Sequence, residues 1–520
     1  MKTMVETRRD SYHDSVSLMN ISSRLSGREG IGEAAAVMGT PQNIQILRDS
    51  GLDTPELEEV GPNDLVIAVA AESDEAGAEA FELAGELLAS GGGGGEGDEE
   101  PRRQLNTTHQ AAAEGANLAL ISTPGKFAAA EALKALGSGM HVHMFSDNVP
   151  LEREVELKEL AEERGLLMMG PDCGTAIING VPLAFANSVR RGNVGVIAAS
   201  GTGCQEVTSL LHRLGSGVSQ AIGTGGRDLS SAVGGRTTKA ALRALIGDEE
   251  TGIIVLVSKP PAREVAAEIF ELAGRTDKPV VCCFLGADPE EIRRSGLRAA
   301  PTLEDAARQA AELDLGEAPS LAGGEGGEKE SVPAPELGDG QRYLRGLYSG
   351  GTFCHEALLL LHDSLGGVYS NTPLDEEHRL PDAGESLEHS CIDLGEDEFT
   401  RDRPHPMIDF RLRNERIVRE AEDPETAVIL LDLVLGYGAN EDPAGAILPA
   451  ITRAREIAEE AGRSLPVVVS VCGTDQDPQH IESQERRLRQ AGAFVTSSNA
   501  RAVRLASALV PARQKVEESR

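Results

Sequence analysis

Apolar residues gather in short, nearly uninterrupted runs at 65–71, 118–121, 142–145, 166–169, 194–199, 253–257, 280–285, 428–433 and 467–471. The runs are rich in β-branched residues and bounded by Gly, Pro or charged positions, which predicts strands buried on both faces. Between many of them, as at 152–164 and 263–273, apolar residues recur at helical spacing. Strands alternating with helices predict parallel sheets covered on both sides.

Two stretches break this alternation. At 91–95 five glycines precede an acidic run at 96–100, and residues 323–340 mix Gly with Glu325, Glu328, Pro333 and Pro335. Neither composition can pack a core. The chain therefore divides into an α/β domain of Rossmann-like type at 1–190 with a flexible insertion at 90–105, a domain at 191–316, a linker at 317–342, and a last domain at 343–512. The first ninety or so residues read as a small α/β unit without an evident purpose.

The last two domains repeat one another. Thr202-Gly203-Cys204-Gln205-Glu206 and Thr352-Phe353-Cys354-His355-Glu356 share a T-x-C-x-E pattern behind a Ser/Gly turn. Glu250-Thr251 and Glu425-Thr426 each precede a strand, and Lys278-Pro279-Val280-Val281 matches Leu465-Pro466-Val467-Val468. Correspondences kept in order predict two copies of one flavodoxin-like, doubly wound parallel-sheet domain.

Ligands of such domains bind beyond the carboxyl ends of the strands, where a turn feeds a helix whose first amides are free. Ser200, Gly201, Thr202 and Gly203 form one candidate phosphate cradle, and Ser349, Gly350, Gly351 and Thr352 a second. Each loop alone also reads as an ordinary helix cap; duplication lets the two face each other and share one ligand. Glu206 and Glu356, a helical turn further in, are candidates to orient or deprotonate a nucleophile, or simply to pair with a helix dipole.

Composition narrows the partners. With Asp+Glu 84 against Lys+Arg 49, the formal charge is -35, which disfavours nucleic acid and anionic membranes. It also means that an anionic ligand needs a local device such as a helix terminus. The polar start of the chain and the lack of a bilayer-length apolar run predict a cytoplasmic protein. The seven cysteines form no metal-spaced cluster and read as reduced thiols; His141 and His143 lack a third ligand, so no metal is expected.

His405 lies between Pro404 and Pro406, which stiffen its segment, making it a candidate general acid/base or phosphate donor. The other reading is a turn with an exposed His capped by Asp409. His355, inside the second cradle, is a lesser candidate, and Asp172 and Cys173 are expected to line the site by shaping a turn.

These residues resemble a known family. Gly170-Pro171-Asp172-Cys173 resembles the G-P-N-C signature of succinyl-CoA synthetase α subunits. Ala199-Ser200-Gly201-Thr202 resembles their S-G-T loop, with Glu206 in register with its downstream Glu, and Ile222-Gly223-Thr224-Gly225-Gly226 resembles the G-x-G-G segment that follows. Ser390-Cys391-Ile392-Asp393-Leu394-Gly395 and the strand at Val428 resemble the β subunit's ligase domain. Nearly the whole chain resembles the FdrA family, in which Arg403-Pro404-His405-Pro406-Met407-Ile408-Asp409 and Leu435-Gly436-Tyr437-Gly438-Ala439 look characteristic.

The resemblance implies a succinyl-CoA synthetase-like fold and acyl-CoA synthetase-type chemistry, with departures. Residues 286–301 contain no His, so the synthetases' phosphohistidine step is not expected there. No Gly-rich turn directly follows a strand in the first half of the N-terminal domain, which leaves CoA open as a cofactor and no other cofactor implied. No ATP-grasp segment is present. What the family implies instead is an oxamate carbamoyltransferase subunit of allantoin degradation, handling carbamoyl phosphate or another acyl phosphate alongside companion subunits. An acid–CoA ligase subunit needing a separate ATP-grasp chain, and a non-catalytic metabolite-binding scaffold, are the alternatives.

Overall fold

The computed structural model describes residues 1–511 except 10, 12, 14, 29, 90–104, 318–336 and 402. Most of the Gly-rich insertion and of the linker lies outside the described residues. The chain forms two compact units, Met1–Gln104 and Leu105–Arg520.

In the first unit the strand Leu65–Ala71 runs between Lys2–Arg8 and Ile31–Met38, antiparallel to both. Its side chains alternate between two cores: Leu65, Ile67 and Val69 pack with Leu18, Leu25 and Ala84, while Val66 and Ala68 pack with Ile44, Leu47 and Leu52. This corrects the expectation of a single Rossmann-like domain over 1–190. A continuous apolar run reports burial on both faces, but it is silent on the direction of the neighbouring strands.

The second unit opens with a small parallel sheet of Leu118–Ile121, His141–Met144 and Met168–Met169, linked by the helices Gly125–Gly137 and Leu151–Glu163. Buried Lys158 ties this piece to the next sheet, meeting Asp228 at 2.7 Å and the Thr224 carbonyl at 3.0 Å. The hairpin Thr175–Ile178/Val181–Ala184 precedes residue 191 yet joins that next sheet, so the boundary lies earlier than the sequence suggests.

Two larger sheets follow. In the first, the strands Arg191–Ala198, Val218–Gly223, Ile253–Ser258, Val280–Phe284 and Arg298–Ala299 lie in the spatial order 2-1-3-4-5, the hairpin adding beside the second. Tyr343–Tyr348, Ser390–Asp393, Thr426–Val434, Val467–Cys472 and Phe494–Thr496 adopt the same order. This is the flavodoxin-like arrangement, with its switch point beside the first strand. Each first strand feeds a helix there, Gly201–Arg213 or Gly351–Leu365.

These two helices pack with Leu303–Leu315 and Asn499–Leu509 between the sheets. Cys204, Val207, Leu211, Ala307, Phe353, Leu358, Leu361 and Val503 share one buried cluster. A core common to both copies fixes their first helices end to end.

Candidate active site

The first helix of each copy starts where the apolar strand gives way to a small-residue turn. Ser200 has extended geometry (φ -157°, ψ 125°), and its Oγ accepts the Gly203 N–H at 2.9 Å, a regular N-cap. Aligning T-x-C-x-E pairs Thr202 with Thr352 and Ser200 with Gly350, and both helices indeed begin one residue before the threonine. The second N-cap is thus glycine, without a side-chain cap.

The two termini meet. Ser200 Oγ and Thr352 Oγ1 share a hydrogen bond. Thr202 presses on Gly350 so closely that a Cβ there would lie 2.7 Å from Thr202 Cγ2. Gly201 lies beside Gly174, and Thr175 Oγ1 donates to its carbonyl at 3.3 Å. Apposed first-turn amides, lacking acceptors within their helices, concentrate two positive dipole ends at one place.

The cradles are nevertheless not equivalent. Ser349 gives its N–H and its hydroxyl proton to Asp432, at 2.8 and 2.6 Å. Asp432 is in turn paired with Arg413 at 2.9 Å, and all three residues are buried. The expectation that Ser349 donates to a ligand is thereby corrected, because its donors serve its own sheet. The Gly203 amide is likewise spent on Ser200. Gly201, Thr202, Gly351 and Thr352 remain at the junction, with Gly350 as the close-contact point.

Glu206 and Glu356 reach past the loops to the helices that end the opposite copy. Glu206 Oε1 accepts the Asn499 N–H at 2.9 Å; Glu356 Oε1 accepts the Leu303 N–H at 2.8 Å and its Oε2 the Asn499 side-chain amide at 2.8 Å. Each carboxylate therefore holds the first turn of a helix in the other half. Both are almost fully buried, and desolvation, only partly offset by these bonds, moves Glu206 up to about 8 and Glu356 up to about 7. The helix starts that they meet belong to the partner half rather than to their own helices.

His405 comes to the second cradle. A Cβ on Gly395 would lie 3.0 Å from His405 Nε2, 3.0 Å from the Ser349 carbonyl and 3.1 Å from Asp393 Oδ1, so these three groups converge over one glycine. The His405 ring lies 5.9 Å from that of Phe185, and its Nδ1 accepts the Met407 N–H at 3.3 Å. Burial pulls its pKa down to about 4 against the pull of Asp432. Near neutrality the ring is uncharged and carries its proton on Nε2, a donor facing the junction.

Asp393 was not singled out from the sequence. It ends the strand Ser390–Asp393 as Gly223 ends its counterpart, and the strand registers agree: Tyr348 pairs with Asp393 and Ala198 with Gly223. The carboxyl is buried beside Gly351, the first residue of the helix. Desolvation and the charge of Glu396, opposed by Lys259 and the Gly395 N–H, raise its pKa to about 7. Comparing the two repeats position by position would have exposed it, as a carboxylate where the first copy has glycine.

The remaining candidates are more peripheral. Asp172 is exposed overall, its carboxyl raised to about 6 by desolvation and by Asp147, with Arg227 opposing. Cys173 is buried, and desolvation pushes its thiol far up and so disfavours a thiolate; it gives a weak hydrogen bond to the Thr175 carbonyl. Asp409 pairs with Arg411 at 2.6 Å rather than with the His405 ring, only its N–H meeting the His405 carbonyl. Burial lowers His355 to about 4, leaving Nε2 without a partner. His141 and His143 accept or make backbone hydrogen bonds, and among the described residues no three metal-binding side chains cluster.

For CoA the nearest equivalent of a dinucleotide turn is the entry to Gly125–Gly137. A Cβ on Gly125 would come within 2.7 Å of the Asn148 backbone, so only glycine fits at this helix start, and the charges of Asp147 and Asp172 act on one another nearby. An open groove lined by Asn414, Val418, Arg419, Pro449 and Arg453 holds none of the candidate residues.

Family models match three segments: "AllF, heavy metal-associated domain" at 1–103, "CoA binding domain" at 189–286 and "CoA-ligase" at 347–509. Residues 1–103 contain no cysteine and one histidine, His13. The uncharacterized protein YahF of Escherichia coli (strain K12) is 42% identical over 510 residues, 96% of this chain and 97% of that protein. The succinate–CoA ligase (ADP-forming) subunit alpha 1 of Archaeoglobus fulgidus is 30% identical over 198 residues, 37% of this chain and 66% of that subunit. A dinucleotide-forming acetyl-coenzyme A synthetase 1 of Ca. Korarchaeum cryptofilum, solved with phosphate and ADP, aligns with 76% of this chain and 82% of its own at 16% identity and a TM-score of 0.32, too loose a likeness to bear on the site. With a relative alike from end to end, and CoA-binding and CoA-ligase segments coinciding with the two flavodoxin-like sheets, the chain belongs to the FdrA family of succinyl-CoA synthetase-like proteins.

Proposed function

We propose that this chain is the acyl-phosphate-handling subunit of an oxamate carbamoyltransferase, acting in the cytoplasm with companion subunits in allantoin degradation. The reaction is oxalurate plus phosphate to oxamate plus carbamoyl phosphate. The observation that carries the reading is the hydrogen bond joining Ser200 to Thr352, which places two amide-rich helix ends side by side on a strongly acidic protein. Such an arrangement suits an anion shared between the two copies and the negative charge that develops in acyl transfer. Gly201, Thr202, Gly351 and Thr352 would hold the phosphate, and His405 Nε2–H would donate to the oxygen on which charge builds. The missing histidine in 286–301 supports transfer without a phosphohistidine.

A second reading is CoA ligation with a separate ATP-grasp chain, favoured by the CoA-binding and CoA-ligase matches. The two separate in one assay. The chain, alone and with its companion subunits, is given oxalurate and phosphate, and carbamoyl phosphate is measured. Thr202→Ala and Thr352→Ala are each expected to lower kcat by about tenfold or more, as for loss of an anion-stabilising donor. Activity untouched by both changes would leave the chain a scaffold for its partners. CoA-dependent release of ADP from ATP would select the ligase reading.

A further inference from the structure

We infer that Asp393 is a catalytic residue at the paired helix ends, its carboxyl relaying the proton between the attacking phosphate and the departing nitrogen. The inference rests on the acyl-phosphate reading and names the group that performs its proton transfer.

The case begins with the broken symmetry of the repeat. In the first copy the position is Gly223, where a Cβ would strike the Thr175 carbonyl and Cys173 Sγ. Side chains are excluded there by the turn and hairpin that follow Pro171. Among the described residues the second copy has no such hairpin along its sheet edge, and a carboxyl occupies the equivalent position.

That carboxyl is held through one oxygen only. Asp393 is 2% exposed, and Oδ1 accepts the Gly395 N–H at 2.9 Å. Oδ2 lies against Gly351, and among the described residues it accepts no hydrogen bond. Glu206 and Glu356, equally buried, accept helix amides at 2.9 and 2.8 Å. Among the described residues no helix amide donates to Oδ2, which leaves that oxygen facing the start of the helix. The helix it faces is the one whose N-cap is a bare glycine.

The groups around it suit proton transfer. His405, neutral, points Nε2 at the same spot over Gly395. Burial and the charges of Glu396 from the following turn and of Asp432, two strands across the sheet, disfavour the carboxylate, while Lys259 from the first copy favours it. With a pKa of about 7, both forms are populated near neutrality, where a proton relay is most effective.

The step balances without another reagent. A phosphate oxygen bonds to the ureido carbonyl carbon of an N-acylurea, and the C–N bond to the departing amide breaks. Asp393 gives its proton to that nitrogen, and the hydroxyl proton of monohydrogen phosphate returns to Asp393. The carboxyl ends as it began.

Sulfate tests the placement without turnover, because its charge is constant through neutrality. Titrated calorimetrically into the full chain, sulfate is expected to bind roughly tenfold more weakly at about pH 8 than at about pH 6, as the like charge on Asp393 appears. In Asp393→Asn this difference should shrink below about twofold, and binding at the lower pH, kept near wild type, shows that the site is folded. With companion subunits, oxalurate and phosphate, kcat of Asp393→Asn should fall about 100-fold or more, with KM for phosphate within about threefold and part of the loss recovered in Asp393→Glu. Sulfate binding with an undiminished kcat in Asp393→Asn overturns the inference and leaves the acyl-phosphate reading standing. Wild-type protein that binds no sulfate removes both.

Discussion

Glu206 and Glu356 occupy matching places in a motif that invites a catalytic reading, yet each is engaged by a helix amide of the opposite copy. A sequence gives a carboxylate's spacing along its own helix; it does not give the partner brought in by tertiary packing. Ser349 is a similar case, since only the fold shows Asp432 taking both its donors. Thr202 and Thr352 were legible because duplication marked them, and Asp393 became so once strand register aligned it with Gly223. The raised pKa of Glu206 carries a prediction. Between the unfolded value near 4.5 and the folded value of about 8, the folded chain holds the extra proton, so this residue makes stability fall as pH rises through that window. Glu206→Gln keeps an acceptor for the Asn499 N–H while removing the titration. Urea unfolding at about pH 8 should show the variant more stable than wild type, by up to about 4 kcal/mol, and at about pH 4.5 the two should be equal.

At the scale of elements, long apolar runs were read well. The strands Leu65–Ala71 and Leu118–Ile121 and the helix Arg263–Ala273 fall where the pattern put them. The apolar runs leave out half-buried Lys2–Arg8, short pieces such as Ser390–Asp393 and Thr175–Ile178, and also Ile31–Met38, Val218–Gly223 and Tyr343–Tyr348, where Gly, Ser, Gln or Arg interrupt the pattern. Their burial comes from neighbours distant in sequence, so no local pattern announces them. The interface between copies is also a property of elements. Asn499 starts its helix with a backbone bond to Glu206 and side-chain bonds to Glu356 and to the Phe353 carbonyl, the last at 3.1 Å. Asn499→Ala leaves Glu356 Oε2 and that carbonyl without donors, and a loss of about 1–3 kcal/mol is expected in urea unfolding. A loss confined to a few tenths would mean that water replaces the amide.

Over the whole molecule, opposing titrations set the pH response. His143, His355 and His405 are lowered to about 4 by burial. At these three positions the unfolded chain therefore binds more protons than the folded one up to about pH 6.5, and they make stability rise with pH across that range. Glu206, Glu356 and Asp393, raised to between about 7 and 8, make it fall from about pH 4.5 upward. The slopes offset each other at mildly acid pH and only the fall persists above it, deepened by self-repulsion at a charge of -35. Thermal unfolding followed by circular dichroism should give a Tm nearly level from about pH 5 to 6.5 and declining toward pH 8; a Tm still climbing there would contradict these assignments.

The reciprocal grip of Glu206 on one terminal helix and Glu356 on the other makes the duplicated halves mutually dependent. Were the polypeptide severed between them, Glu206 would lose the amide it holds, Glu356 would keep only the Asn499 side chain, and each fragment would end in a helix with a bare first-turn amide. Co-expressed, the fragments would have to reassemble as an obligate pair, so this duplication cannot be undone into self-sufficient proteins without first re-engineering both ends.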